Sequence, residues 1–445
     1  NVEERPTGQL QFSAGFSSLE RFLINLSLEQ RNFMGKGQTA RASINYSTYA
    51  KSAELGFTEP YLFDRNIAVG ADVYRRDFNS FNFTGNGERN TTYEQVTTGG
   101  SLRAGVPLTE NAVLALRYSL NFDDISLDES SFFSTDASGN FSCDPLLAGR
   151  YLCDALGKRT TSSIGYTLAY DTLDNRLRPS RGERASFSQD FAGLGGDVRY
   201  LRSVARGAKY WRVMNGFIFS TALEGGYIHS FEKSPGAGID PVRLTDRFNL
   251  GEPQIRGFDI RGIGPRVQRI PLDANNQPVT DSNRITDDAL GGRAYYLGRA
   301  ELEIPLGSGL KDLGLRPSLF LDVGSVFGLK NPITNTYLNG DPRLFRPILN
   351  AEGLRQCTTA GPDPVVSPLP VGADCPTGTS LVANVISGPF QERFLGDTWK
   401  PRLSIGFGVN WNSPFGPLRL DIAKALIKYE GDDTKLFTFN VGTAF

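Results

Sequence analysis

At 445 residues, with a formal net charge of −1 and charges of both signs interspersed, the chain presents no basic face, which argues against nucleic-acid binding. Hydrophobic residues make up 39% and aromatics 11%, with 49 Gly and 30 Phe against 2 Met and 1 His, a balance that favours many strands and tight turns over helices. No window approaches the roughly 18 to 20 consecutive apolar residues of a membrane-spanning helix, which excludes helical membrane proteins but not barrels, whose alternating strands leave hydropathy unremarkable. The chain begins at Asn1 with neither a Met nor a signal-like charged and apolar pair of regions, so any signal peptide is expected to have been removed.

Taken in order, the chain shows period-two alternation again and again, each time over about ten residues, the length of a tilted membrane-spanning strand. Leu10, Phe12, Ala14 and Phe16 alternate with Gln11, Ser13 and Gly15; Leu114, Leu116, Tyr118, Leu120 and Phe122 do the same with Ala115, Arg117, Ser119 and Asn121. Near the end, Leu403, Ile405, Phe407, Val409 and Trp411 share one face, as do Leu418, Leu420 and Ile422, with Arg419 and Asp421 opposite. The spans 7–18, 22–31, 38–48, 51–60, 66–77, 92–106, 111–126 and 159–174 make up the first half. The second half comprises 183–193, 197–212, 216–231, 292–305, 315–328, 397–412, 417–428 and 434–445, an even total. Short turns such as Asn32–Gly37 and Ser413–Gly416 alternate with connections that include all the long loops, near 78–91, 127–158, 232–291 and 329–396. That one-sided distribution predicts an all-β fold: a 16-stranded antiparallel transmembrane β-barrel with short periplasmic turns and long extracellular loops.

Cys143 and Cys153, and then Cys357 and Cys375, are close in sequence and lie in two of these long loops on the same side. Zinc is the competing reading, but there is no CxxC and the single His229 is far from either pair. Local disulfides are therefore expected, in an oxidising compartment. His229 itself, near a strand end, reads as an interfacial or loop residue, and with neither GxSxG nor HExxH in the chain no enzyme is expected.

Two stretches do not read as plain barrel. Gln254-Ile255-Arg256-Gly257-Phe258 sits in the sixth outer loop, yet its Arg is flanked by apolar residues and by a glycine that allows close backbone approach, so the segment is expected to be tucked against something. An exposed loop arginine is the plain alternative. The last strand carries Phe437, Phe439, Val441 and Phe445 on one face and ends on the aromatic, which suits both a lipid-facing girdle and a C-terminal assembly signal.

With these features together, the chain resembles the BamA family of outer-membrane barrel assembly proteins. The similarity is carried by IRGF (255–258), PTGQLQFSAGFSS (6–18), RNFMGKGQ (31–38), FTEPYL (57–62), DDALGG (287–292), FLDVGSVF (320–327) and FNVGTAF (439–445). The resemblance implies that the sixth loop folds into the lumen and that Arg256 docks on acidic residues of the inner wall. Alternation places Glu301 and Glu303 on one face of their strand and Asp322 opposite Leu319, Leu321 and Val323; by motif match the partners of Arg256 are Asp322 and Glu303.

The resemblance also implies a seam between first and last strands, at Gly8, Leu10, Phe12 and Ala14 facing Phe439, Asn440, Gly442 and Phe445. Small residues there suit simple barrel curvature or a lateral gate that opens for β-augmentation. Residues 1–6, with NVEER, resemble the end of a periplasmic POTRA domain, leaving 7–445 as the barrel. The implied function is folding and insertion of nascent outer-membrane β-barrel proteins in a Gram-negative outer membrane, without cofactor or metal. Outer-membrane lipids, lipopolysaccharide and accessory lipoproteins are the implied partners. A two-partner-secretion translocator or a porin-like pore is the alternative.

Overall fold

The computed structural model describes residues 7–17, 21–84, 89–135, 140–176, 178–213, 216–306, 314–348, 350–361, 364–370, 373–413 and 416–441. Sixteen strands form the wall, as the alternation predicts. The first eight are β1 (Gly8–Ser17), β2 (Arg21–Phe33), β3 (Gln38–Ser47), β4 (Ala50–Glu59), β5 (Ala68–Thr84), β6 (Arg89–Pro107), β7 (Ala112–Ser126) and β8 (Gly157–Asp171). The second eight are β9 (Gly182–Gly196), β10 (Tyr200–Arg212), β11 (Ile218–Ser230), β12 (Ala294–Glu303), β13 (Leu315–Phe327), β14 (Arg402–Ser413), β15 (Gly416–Ile427) and β16 (Phe437–Val441). Each is antiparallel to the next, and β1 meets β16.

The side-chain period of a strand sorts the wall into two faces. Leu10, Phe12, Leu28, Ile44, Leu55, Val73, Leu102, Ile164, Leu223, Leu319, Ile405 and Ile422 are all exposed on the outside. In water such a band would be an aggregation surface; against acyl chains it is the solvated face of the barrel. His229 belongs to that outer surface, edge-on to Phe231 at 5.0 Å between ring centroids and beside Tyr227, with Phe231 in turn near Phe191. This is the aromatic girdle of a membrane interface, and it agrees with the interfacial reading of that histidine. No helix among the described residues is long and apolar enough to cross a membrane.

The expected long loop near 78–91 is not one. β5 and β6 continue as a paired ladder as far as Phe83 and Arg89, and their backbone groups find partners in each other and in the sixth loop. Alternation weakens where a strand leaves the membrane, so the sequence reads there as a loop although the hydrogen-bond ladder persists. The other three long connections are loops, and the sixth and seventh extend the wall sheet with strands of their own. The sixth-loop hairpin Arg266–Pro271 with Thr286–Ala289 pairs on one side with Thr84 and Phe83, and on the other with Phe390–Leu395 of the seventh loop. Because this sheet joins β5 to loops rooted on the opposite side of the wall, it spans the outer mouth.

Both cysteine pairs are disulfides in these outer loops, Cys143–Cys153 and Cys357–Cys375, with Cα–Cα distances of 5.7 and 5.8 Å. The first staples the fourth loop, whose short helix Pro145–Ala148 has its final carbonyls capped by the Arg269 guanidinium at 2.7 to 3.0 Å. Neither bridge touches the wall ladder. Reduction with dithiothreitol is therefore expected to leave the far-ultraviolet β signal and the heat-dependent gel mobility of the folded barrel unchanged, while limited proteolysis cuts faster within 127–156 and 345–385.

Candidate functional site

The sixth loop descends into the lumen and its tip is buried. Ile255 and Phe258 join Ile228, Phe248, Leu250, Tyr295 and Val326 in one apolar cluster against the inner wall. Between them Gly257 has φ +85°, and a Cβ there would stand 3.1 Å from the Cβ of Ser404 and 3.2 Å from that of Ala423. Glycine is required on both counts, the left-handed turn and the close approach to β14 and β15. The turn aims Arg256 at the wall.

Arg256 is 3% exposed and its fork meets Asp322 side-on, Nε donating to Oδ2 at 2.8 Å and Nη2 to Oδ1 at 2.7 Å, while its backbone N–H donates to the same carboxylate at 3.1 Å. Nη1 donates to Glu301 Oε2 at 3.1 Å, and the guanidinium lies 3.3 Å over the ring of Phe320. Planar, bidentate recognition of this kind is what arginine supplies and lysine does not. Around the pair, Arg299 donates to Asp322 at 3.2 Å and to the Gln254 carbonyl at 2.8 Å. Arg419 holds Asp421 through two bonds of 2.7 and 3.0 Å and approaches Glu301 to 3.6 Å, and Ser318 donates to Glu301 at 2.6 Å. Three guanidiniums thus face three carboxylates, so no buried charge is left over.

Asp322 is the partner predicted from the motif. Glu303, predicted with it, is no partner of Arg256: its carboxylate lies 3.7 Å from Arg316, and the second acidic residue that meets Arg256 is Glu301. The two glutamates share an inward face, but period two settles the face of a strand and says nothing about height along the barrel axis; the register of β12 on β13, which sets Arg299 opposite Asp322 and Glu301 opposite Phe320, decides it. Arg299, Arg419, Asp421 and Phe320 were not singled out from the sequence. A signal for Arg419 and Asp421 existed, since both lie opposite the leucine face of their strand.

The loop tip also pairs with the segment leading into β16. Phe258 bridges Thr434, Asp259 N–H donates to the Asp433 carbonyl at 3.0 Å, Asp433 N–H to that of Gly262 at 2.8 Å, and Lys435 Nζ meets Glu252 at 2.8 Å.

At the seam, β1 is paired to β2 at ten positions from Gly8 to Ser17, but to β16 only through Phe16 with Val441 and Ser17 with Asn440 among the described residues. Leu10 and Phe12 point outward and are strongly exposed, and Gly8 and Ala14 are exposed with them. Phe439 pairs with Leu420, and Asn440 with Arg419 as well as with Ser17. Gly442 and Phe445, like residues 1–6, lie outside the described residues.

Residues 32–445 match the Omp85 superfamily domain. The chain belongs to the Omp85 superfamily. Over its whole length it is 27% identical to the outer membrane protein assembly factor BamA of Neorickettsia risticii and 22% identical to that of Neisseria meningitidis, covering 46% and 48% of those proteins. It therefore spans about half the length of the curated relatives it matches. Over 68% of its length it is 25% identical to the sorting and assembly machinery component 50 homolog of Xenopus tropicalis, covering 56% of that protein. The solved structure of BamA from Haemophilus ducreyi lacking POTRA domains 1–3 has the same fold, with a TM-score of 0.68 at 21% identity over 100% of this chain and 71% of that one. As an Omp85 barrel the protein resides in the outer membrane.

The two glutamates separate cleanly by mutation. Glu301→Gln should loosen the sixth loop, read as faster proteolysis of 250–262 in proteoliposomes, whereas Glu303→Gln should not. Arg256→Ala leaves three carboxylates facing two guanidiniums, with Asp322 held by Arg299 alone, and should cost about 3–5 kcal/mol of docking energy. A pH effect belongs to the same loop: burial pushes Asp287 up to about 6, outweighing the pull of Arg266 at 3.3 Å. A carboxyl raised by folding stabilises its protonated form, so this contribution is full below the ordinary value of 3.8 and is lost as pH rises through about 6. The 266–289 hairpin should resist a protease better at pH 5 than at pH 7.5, and Asp287→Asn should abolish the difference.

Proposed function

We propose that this barrel folds and inserts nascent outer-membrane β-barrel proteins through the seam between β1 and β16, without ATP, cofactor or enzymatic chemistry. The observations that carry the reading are the match to the Omp85 superfamily domain and the sixth-loop tip held in the lumen by Arg256 on Asp322, in a barrel whose first and last strands meet at Phe16 with Val441 and Ser17 with Asn440 among the described residues. A strand edge whose N–H and C=O groups are freed when that seam opens is a template for an incoming strand. The names of the BamA and sorting-machinery relatives support the same activity. Outer-membrane lipids and lipopolysaccharide surround the exposed apolar band, and nascent barrels are the substrates. Accessory lipoproteins engage the protein through periplasmic POTRA domains.

A steady transport pore is the other reading, and the tip held in the lumen by Arg256, beneath a sheet across the outer mouth, weighs against it. In planar bilayers the protein is expected to give small, unstable conductance, and large ohmic steps would favour the pore. The direct test joins Ser17 to Asn440, which are partners in the ladder, as S17C/N440C in the full-length protein. Assembly of a reporter barrel should fall under oxidising conditions and return with reductant; undiminished assembly through a locked seam sinks the proposal.

A further inference from the structure

The turn between β15 and β16, residues 428–436, is gripped by two buried arginines from different parts of the chain. Arg402, at the start of β14, is fully buried and donates to Asp432 through Nε and Nη2, both at 3.1 Å, and its guanidinium lies 5.0 Å from the Tyr429 ring centre. That contact ties the turn to the wall. The second comes from the sixth loop. Arg266 is 2% exposed; its Nη1 meets Asp433 at 2.9 Å, Asp287 at 3.3 Å and the Gly431 carbonyl, and its Nη2 donates to the Arg261 carbonyl at 2.7 Å. Gly431 has φ +89°, and a Cβ there would lie 3.0 Å from Arg266 Cδ, so the turn closes directly on the arginine stem.

Arg261 and Asp287 belong to the sixth loop itself and would suffice to hold Arg266 within it. Gly431 and Asp433 belong to another element, and the strand that follows them carries the described pairs that close the seam with β1, Phe16 with Val441 and Ser17 with Asn440. The backbone contacts of 257–262 with 433–435 run beside this clamp and point the same way.

We propose that Arg266 is a positioning residue of the seam, holding the outer end of β16 from the sixth loop so that pairing of the last strand with the first is coupled to that loop's docking. The idea rests on the seam reading above and deepens it. Arg256 and Arg266 then have separate tasks: the first anchors the loop to Asp322 on the wall, the second ties the anchored loop to the last hairpin. Release of the turn lengthens the free span leading into β16 while the plug stays in place.

The test is hydrogen exchange on the full-length protein in lipid nanodiscs, comparing the wild type with Arg266→Gln and Asp433→Ala, and with Arg343→Ala as a control on an exposed seventh-loop arginine. Loss of charge-assisted bonds to a buried guanidinium should lower protection of 433–441 by about tenfold or more in both test variants, with 254–258 still protected and the control unchanged. Asp433 is half-exposed, so its variant stands even where Arg266→Gln fails to fold. Unchanged protection of 433–441 in Asp433→Ala overturns the proposal, as does loss there only together with 254–258, which would make Arg266 a support of its own loop alone. Reporter assembly is measured in parallel: loosened 433–441 with unaltered assembly counts against the seam as the working site while leaving the clamp standing.

Discussion

A guanidinium taken out of water has to meet carboxylates with matching geometry, and the lumen of this barrel is arranged around one that does. Arg256 reaches Asp322 with both arms of its fork and Glu301 with the remaining one, and Arg299 and Arg419 bring the local charge back to balance. In a wet, open pore each of these contacts would contribute little; shielded by Phe320 and the apolar cluster around Ile255 and Phe258, they are strong and directional. The position of a loop of some sixty residues is set by this one register point. From it follow the placement of the outer hairpin, the sheet across the mouth and the contacts with the last turn.

The same arrangement divides the barrel mechanically. The β11 to β14 side carries the plug, is paired along whole strands and is braced from within. On the β16 to β1 side, Arg402 and Arg266 hold the turn that precedes the last strand. A closed sheet removes its edges, and here side chains on the turn before the last strand add ties at the outer end of the closing pair.

Much of this was legible in the chain. Strand number, the outward face of the strands with clean alternation and the two local disulfides follow from alternation and cysteine spacing, and the structure agrees with each; His229, read as an interfacial or loop residue, lies on the outer surface beside Tyr227 and Phe231. The apolar flanks of Arg256 marked a buried tip, and the motif named Asp322. Where reading from the chain erred, it erred on quantities that alternation does not encode. Glu301 and Glu303 are equivalent by period and differ only in height; the 78–91 region loses its pattern because its ladder continues beyond the lipid.

Sequence alone determined the faces, because a side chain's direction along a strand repeats every two residues whatever its neighbours do. It also determined where glycine and arginine had to sit for a loop to lie against a wall. Only the tertiary structure decided which carboxylates stand level with Arg256, and that Arg266 bridges from its own loop to the turn at Gly431 and Asp433. These are matters of register between strands and of contacts between elements more than a hundred residues apart, where local periodicity carries no information. The stretch at Ile255 to Phe258 is therefore written in the chain as something buried, and is given its partners by the fold.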